Sequence, residues 1–306
     1  MKALVLGASG FLGSYLGFAL PRKGWGVEGV SRSPLDFFPH HLEVDSGEQI
    51  ESVIAGSNAE VVINALAMAS HEACQESPLE AYRVNQEWPG EWAATAGRRG
   101  QRFVHISTDA VFSGDQMAPY REDDPTGPTG VYGRSKLAGE AAVLAANPEA
   151  LVVRTNFFGW SRGSDYGILD FFVRSFRDAR TITGFDDYIV SSLYVGDLAD
   201  AIVSLVEAGS TGVFHAVAAD AHSKYDFGVE VASMLGLDSS VMSRGSLADA
   251  SDMAPRGRRL ELDTGRIEAE LGRPMPSLRE GLERALAERS DLMEYFGTTE
   301  GGGAST

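Results

Sequence analysis

Tyr132 and Lys136 stand four residues apart in the run Tyr132-Gly-Arg-Ser-Lys136. On a helix that spacing puts a phenol and an ammonium on one face. An ammonium beside a phenol favours the phenolate, so the spacing predicts a tyrosine pKa drawn down toward neutrality. Such a tyrosine can give a proton to a carbonyl oxygen as a hydride arrives, or take one back in reverse. Just upstream, the apolar run Phe103–Ser107 ends in Thr108-Asp109, and a hydroxyl there can hydrogen-bond the same oxygen. A Tyr-x-x-x-Lys pair alone is common and can be a mere surface pair. Joined to a strand-end hydroxyl and an N-terminal glycine turn, it is far harder to reach by chance.

The glycine turn is Gly7-Ala8-Ser9-Gly10-Phe11-Leu12-Gly13, which follows the apolar run Ala3–Leu6 directly. Its spacing is Gly-x-x-Gly-x-x-Gly rather than the commoner Gly-x-Gly-x-x-Gly. A strand before and a helix after give it the context of a dinucleotide loop. Glycine permits the sharp turn, the close approach of a pyrophosphate and tight helix packing, while the helix N-terminus offers N–H donors. The second strand ends in Ser31-Arg32, where an acidic residue would suit the ribose of NAD. Arginine suits a 2′-phosphate, so NADPH is the expected cofactor over NADH. Asp45 has two readings, a cap for the helix near Ser46–Ile50 or a contact to the adenine edge.

These residues need a scaffold that alternates strand and helix. Strands are expected at Ala3–Leu6, Val27–Ser31, Glu60–Asn64, Phe103–Ser107 and Leu151–Arg154. Between them come helices at Phe11–Leu20, Glu48–Ile54, Glu80–Gly97 (despite Pro89) and Val131–Ala146. That alternation predicts an α/β protein with a Rossmann-like, doubly wound parallel sheet. Beyond Thr155 the pattern loosens. Helices are expected near Asp170–Asp178, Gly196–Ala208, Tyr225–Leu235 and Leu278–Ala287, with short strands near Val213–Ala216 and Arg259–Leu262. The expected organisation is a dinucleotide-binding domain over 1–155 and a smaller, interleaved C-terminal substrate-binding region over 156–290. Some segments of that region return to the first domain. Residues 291–306 read as a flexible tail.

Composition narrows the function classes. The chain has 306 residues, 43% of them hydrophobic and 23% charged, which excludes a disordered chain. Acidic residues outnumber basic ones by 43 to 26, a net charge of -17, so neither nucleic acid nor an anionic membrane is an expected partner. No apolar run reaches the roughly 18 residues of a spanning helix. The expected location is the cytoplasm. The single cysteine, Cys74, excludes an internal disulfide framework and reads as a small core residue. Trp88 and Trp92, at i and i+4, read as core or interface.

Several stretches resemble the extended short-chain dehydrogenase/reductase superfamily, and within it the dTDP-4-dehydrorhamnose reductase branch. They are Val62-Ile-Asn-Ala65, Tyr82-Arg-Val-Asn85, the run from Phe103 to Phe112, Pro119-Tyr-Arg-Glu-Asp-Asp-Pro125 and the run from Val131 to Glu140. Leu198-Ala-Asp-Ala201 and Lys224-Tyr-Asp-Phe227 match further on. The resemblance implies that Thr108, Tyr132 and Lys136 form a catalytic triad, with Tyr132 as proton donor. Lys136 would bind the nicotinamide ribose and lower the tyrosine pKa. It also implies that Gly7, Gly10, Phe11 and Leu12 surround a pyrophosphate and that Arg32 meets the adenosine phosphate. Ala65 and Ala67 would line the cofactor channel, with Asn85 beneath it. The implied reaction is hydride transfer from NADPH to the 4-keto carbon of a nucleotide-linked deoxysugar, without a metal. A homodimer is compatible with this reading.

The chain departs from the branch at sugar-pocket positions. Ala110 stands where a tyrosine is typical, Met68-Ala-Ser-His71-Glu replaces Tyr-Thr-Ala-Val-Asp, and Phe157 lies where a tryptophan is expected. Met68, His71, Thr108, Ala110 and Phe157 are thus the candidate substrate residues. His71 reads either as a pocket donor or as a satisfied helix-end histidine. Arg259 reads either as a diphosphate contact or as an exposed arginine before a strand. Two other functions compete with this one. An NAD-retaining epimerase or dehydratase fits less well, because dehydratases usually carry Glu where Ala110 stands and retained NAD favours an acid where Arg32 stands. The other is a non-enzymatic regulatory subunit, like the methionine adenosyltransferase β-subunit, and the intact Thr108, Tyr132 and Lys136 favour catalysis over it.

Overall fold

The computed structural model describes residues 1–32, 35–38, 40–44, 46–162, 167–250 and 253–297. Seven strands build one sheet: β1 (Lys2–Leu6), β2 (Gly26–Ser31), β3 (His41–Glu43), β4 (Val61–Asn64), β5 (Arg102–Thr108), β6 (Leu151–Thr155) and β7 (Gly212–His215). All neighbours pair in parallel, in the order 7-6-5-4-1-2-3. The chain starts in the middle at β1, winds to the β3 edge, then crosses to β4 and winds the other way. Strand order therefore reverses between β1 and β4, where a crevice opens beyond the carboxyl ends.

Both faces of the sheet are covered, which is why the central strands read as unbroken apolar runs. In β1, Ala3 and Val5 enter one core while Leu4 and Leu6 enter the other. The helices are α1 (Phe11–Arg22), α2 (Gly47–Gly56), α3 (His71–Glu76), α4 (Pro78–Tyr82), α5 (Trp88–Arg98) and α6 (Val131–Ala146). They continue with α7 (Ile168–Arg177), α8 (Val195–Ala208), α9 (Lys224–Leu235), α10 (Gly265–Leu271) and α11 (Leu278–Tyr295). Leu16 of α1, Ile202 of α8 and Leu282 of α11 lie in the first core. Ile50 of α2, Trp92 of α5 and Val143 of α6 lie in the second.

The single helix expected over Glu80–Gly97 is α4, a π-helical turn at Arg83–Glu87, and then α5. Pro89 has no N–H for the carbonyl of Asn85, four residues back, so regular α-helical bonding cannot run through this point. The strand expected at Val213–Ala216 is β7, which brings the chain back beside β6. β3 and α3 are only three and six residues long, too short to show a period. The tail expected from 291 begins too early. Helix α11 runs to Tyr295 with Leu292 and Phe296 buried, because those apolar side chains pack under α1 and Phe37. Residues 298–306 lie outside the described residues.

Beyond Thr155 short strands pair outside the main sheet. Phe157–Phe158 pairs with Leu193–Tyr194, and Ile189–Val190 lies between His222–Ser223 and Arg259–Leu260. Ile182–Phe185 pairs with Met242–Gly245.

Trp92 is a sensitive point of the second core. It is fully buried, stacks on Trp88 at 5.9 Å and donates its indole N–H to the Gly47 carbonyl at 3.0 Å. Trp92→Ala should cost about 3–5 kcal/mol of stability, read as a lowered urea midpoint with little change in slope.

Candidate active site

The turn after β1 is built around glycine geometry. Gly7 sits at φ +82°, and a Cβ there would fall 2.8 Å from the Leu66 Cα. A Cβ at Gly13 would fall 2.1 Å from the Gly7 carbonyl oxygen, so α1 can seat against the turn only with glycine there. Gly10 is the N-cap of α1, and no acidic side chain occupies the first turn. The opening amides of α1 are left to bind an anion, with the positive end of the helix dipole behind them.

Two cavities flank this turn. The first, about 380 Å³, is lined by Ser31, Arg32, Val44, Leu66, Met68 and Trp88, among others. The second, about 350 Å³, is lined by Phe11, Thr108, Tyr132, Lys136, Phe157 and Tyr188, among others. Ala67 borders both. Gly10, Leu12 and Ala65 face the second cavity, while exposed Arg32 stands at the first. A long ligand with an anionic centre fits this plan: one end beside Arg32, the middle over the glycine turn, the other end beside Tyr132. Asp45 lies outside the described residues. Asn85 lines neither cavity, contrary to its expected cofactor role. Its side chain bonds the Met68 backbone in both directions and donates to Ser135 Oγ, so it fixes the wall from behind.

The second cavity gathers the reactive groups. Tyr132 and Lys136 lie on the first two turns of α6, which packs on β5. Thr108 is the last residue of β5. Its hydroxyl donates to Asp109 Oδ1 at 2.9 Å and accepts the Ala110 N–H at 3.2 Å. The predicted lowering of the Tyr132 pKa is not what the site does. Burial pushes the phenol up, the nearby Asp109 and Cys74 add to this, and the Thr108 hydroxyl only partly opposes it. Lys136 exerts no such pull because its Nζ turns away to β5, donating to the Ile106 carbonyl at 2.7 Å and lying 3.3 Å from His105 Nε2. Burial lowers the Lys136 pKa to about 8, against the pull of the Glu140 carboxylate.

The candidate substrate residues divide. His71, Ala110 and Phe157 line the second cavity with Thr108. The His71 ring lies 4.6 Å from that of Tyr132, and burial brings its pKa down to about 4, so it is neutral near pH 7. Phe157 packs on Phe11 at 5.5 Å. Met68 instead lines the first cavity, because Asn85 holds its backbone in that wall. Arg259 reaches neither cavity, since its guanidinium is paired with Glu261 two residues on. Arg256 is the arginine nearer the site, paired with Glu72 at the start of α3.

Three groups escaped the sequence reading. Asp109 is 3% exposed, accepts from Asn156 Nδ2 at 2.8 Å, and has its pKa raised by burial. Lys224 is its electrostatic counterpart, with its pKa brought down by burial to about 8, and its ammonium lies 5.4 Å from the Tyr188 ring centre. Tyr188 is a second phenol in the cavity, pushed up by burial. A signal for Lys224 lies in the sequence: the chain has only four lysines, and this one opens Lys224-Tyr-Asp-Phe227.

Parallel strand order, glycine turn and paired cavities define the class: a Rossmann-type short-chain dehydrogenase/reductase fold with its site at the topological switch. The family model described as RmlD substrate binding domain matches residues 1–290, and the chain belongs to that family. It is 33% identical over 297 residues to the probable low-salt glycan biosynthesis reductase Agl14 of Haloferax volcanii, covering 95% of this chain and 99% of that one. It is 33% identical to a dTDP-4-dehydrorhamnose reductase of Mycobacterium tuberculosis, covering 94% and 92%. A solved dTDP-4-dehydrorhamnose reductase from Clostridium acetobutylicum superposes with a TM-score of 0.83 at 25% identity, covering 95% of this chain and all of that one.

Cys74 supplies a check on the closed wall behind the site. Its thiol is buried, directed at the Met68 carbonyl at 3.2 Å, and pushed up by burial to about 11. Native protein at pH 8 should therefore show no thiol reactive toward iodoacetamide over minutes, and one per chain after unfolding.

Proposed function

We propose that this chain is an NADPH-dependent oxidoreductase that reduces the 4-keto group of a nucleotide-linked deoxysugar. The observation that carries it is the meeting of Thr108, Tyr132 and Lys136 at one cavity that adjoins, through Ala67, a second cavity headed by Arg32. The names of the relatives supply the substrate class. Ala110 supports a reductase over a dehydratase, because no second carboxylate follows Asp109 to assist loss of water.

The cradle fits a dinucleotide: Gly7 and Gly13 stand where any side chain would collide, and the opening amides of α1 would hold the pyrophosphate. Arg32 would take the 2′-phosphate, while Lys136 would hold the nicotinamide ribose. Bound NADPH supplies the hydride. Tyr132, kept protonated by burial, would hand its phenolic proton to the developing alkoxide. Thr108, braced by Asp109 and the Ala110 N–H, would orient the same oxygen. His71, Ala110 and Phe157 would shape the sugar side, together with residues from the 156–290 region. NADPH and sugar nucleotides are cytoplasmic metabolites, so the reaction is assigned there.

The direct test is loss of nicotinamide absorbance with NADPH and dTDP-4-dehydro-L-rhamnose. Turnover is expected, and inertness toward a whole panel of ketosugar nucleotides would defeat the proposal. Tyr132→Phe should lower kcat by about 100-fold or more while NADPH still binds. Arg32→Asp should weaken NADPH far more than NADH. Equal weakening of both would show that Arg32 does not read the 2′-phosphate.

A further inference from the structure

Most polar side chains around the second cavity are already engaged. Ser107 donates to Glu140. Asn156 donates to Asp109 and accepts from Ser192. Asp109 accepts from Thr108 and Asn156. The Thr155 hydroxyl and His71 Nδ1 are sealed from the cavity, and His71 also bonds the Pro255 backbone. Thr108, Tyr132 and Lys136 are taken up by the reacting carbonyl and the cofactor. Tyr188 remains. It lines the cavity, is half-buried, and its hydroxyl bonds none of the described residues. Tyrosines of the core use their hydroxyls otherwise: Tyr194 donates to Glu288 at 2.9 Å, and Tyr120 accepts three backbone amides at 3.0–3.1 Å. Tyr295 has an unpaired hydroxyl too, but that one is sealed in the protein.

The place of Tyr188 is built. Its carbonyl accepts the Lys224 N–H at 3.1 Å, and the next residue, Ile189, donates to the Arg258 carbonyl at 2.7 Å. On the other side, the Asp187 carboxylate accepts Ser246 Oγ and the Leu247 N–H, each at 2.6 Å. The backbone is thus pinned before and after the tyrosine. The Lys224 ammonium lies 5.4 Å from its ring centre and backs it. Tyr132 and Tyr188 pack against the same small core of Ala110, Val111, Phe112 and Val190. Asp109 acts electrostatically on both phenols, and Tyr132 acts on Tyr188. Burial keeps Tyr188 protonated, so it has a proton to donate.

We propose that Tyr188 is a specificity-determining residue whose phenol hydrogen-bonds the sugar hydroxyl on the carbon next to the keto group. In a ketosugar such as dTDP-4-dehydro-L-rhamnose, C4 lies between C5, which bears a methyl group, and C3, which bears a hydroxyl. With the C4 oxygen at Tyr132, the 3-hydroxyl is the neighbouring polar group that a second phenol in the same cavity can meet. Tyr132 comes from α6 and Tyr188 from the 156–290 region, so the two phenols hold vicinal oxygens from separate parts of the chain. Such a contact fixes the sugar ring about the hydride acceptor. It also discriminates against a sugar lacking that hydroxyl, since the phenol would then be left unpaired. This assignment rests on the reductase reading.

Tyr188→Phe keeps the ring and removes only the hydroxyl. With NADPH and dTDP-4-dehydro-L-rhamnose it should lower kcat/KM about tenfold, chiefly through KM. The wild type should lose a similar factor on the 3-deoxy ketosugar, and the variant should lose little more on that substrate. Calorimetry with dTDP-L-rhamnose and its 3-deoxy counterpart should give the same pattern with no chemistry involved. NADPH affinity should not change. Additive losses from the variant and the deoxy sugar, or weaker NADPH binding by Tyr188→Phe, would overturn the proposal. Turnover by a wild type indifferent to the 3-hydroxyl would overturn it too, while leaving the reductase reading in place. Binding that depends on both the 3-hydroxyl and Tyr188, without turnover, would support the contact and count against the reductase reading alone.

Discussion

Lys136 donates to the carbonyl of Ile106, and the site is organised around that bond between α6 and β5. It draws the amine away from the phenol of Tyr132 and into the sheet. Keeping it there demands close packing of α6. A Cβ at Gly139 would fall 2.0 Å from the Asn85 carbonyl, so α6 can approach the π-helical turn only with glycine at that position. Asn85 in turn holds Met68 and Ser135, and Met68 accepts the Cys74 thiol. One buried amine, one missing side chain and one asparagine thereby fix the wall shared by the two cavities.

Much of this was legible in the sequence, for identifiable reasons. The glycine turn shows because no other residue tolerates φ +82° beside Leu66. The strands show because a sheet covered on both faces needs unbroken apolar runs. Thr108, Tyr132 and Lys136 show because their spacing is tied to a strand end and a helix face. The π-helical turn did not show, since Pro89 alone is equally consistent with a kink or a simple helix start. Asp109 and Lys224 were hidden for another reason: 115 positions separate them, and only the return of the chain over the crevice brings their charges together.

The misplaced residues teach the same lesson at shorter range. Met68 and His71 are three positions apart, yet they face different cavities. Position in a motif did not decide this; the two hydrogen bonds between Asn85 and the Met68 backbone did. Arg259 carried the right charge for a diphosphate, but Glu261 had already claimed it. Arg256, three residues earlier, crosses to Glu72 and so joins the late part of the chain to the rim of the site.

Ala67 lines both cavities, so its small side chain lies where the two meet. Among the described residues, a small side chain is what this shared position presents to both halves of the site. Bulk added at this position would act as a sill, obstructing a ligand long enough to span both halves while sparing a short one confined to either.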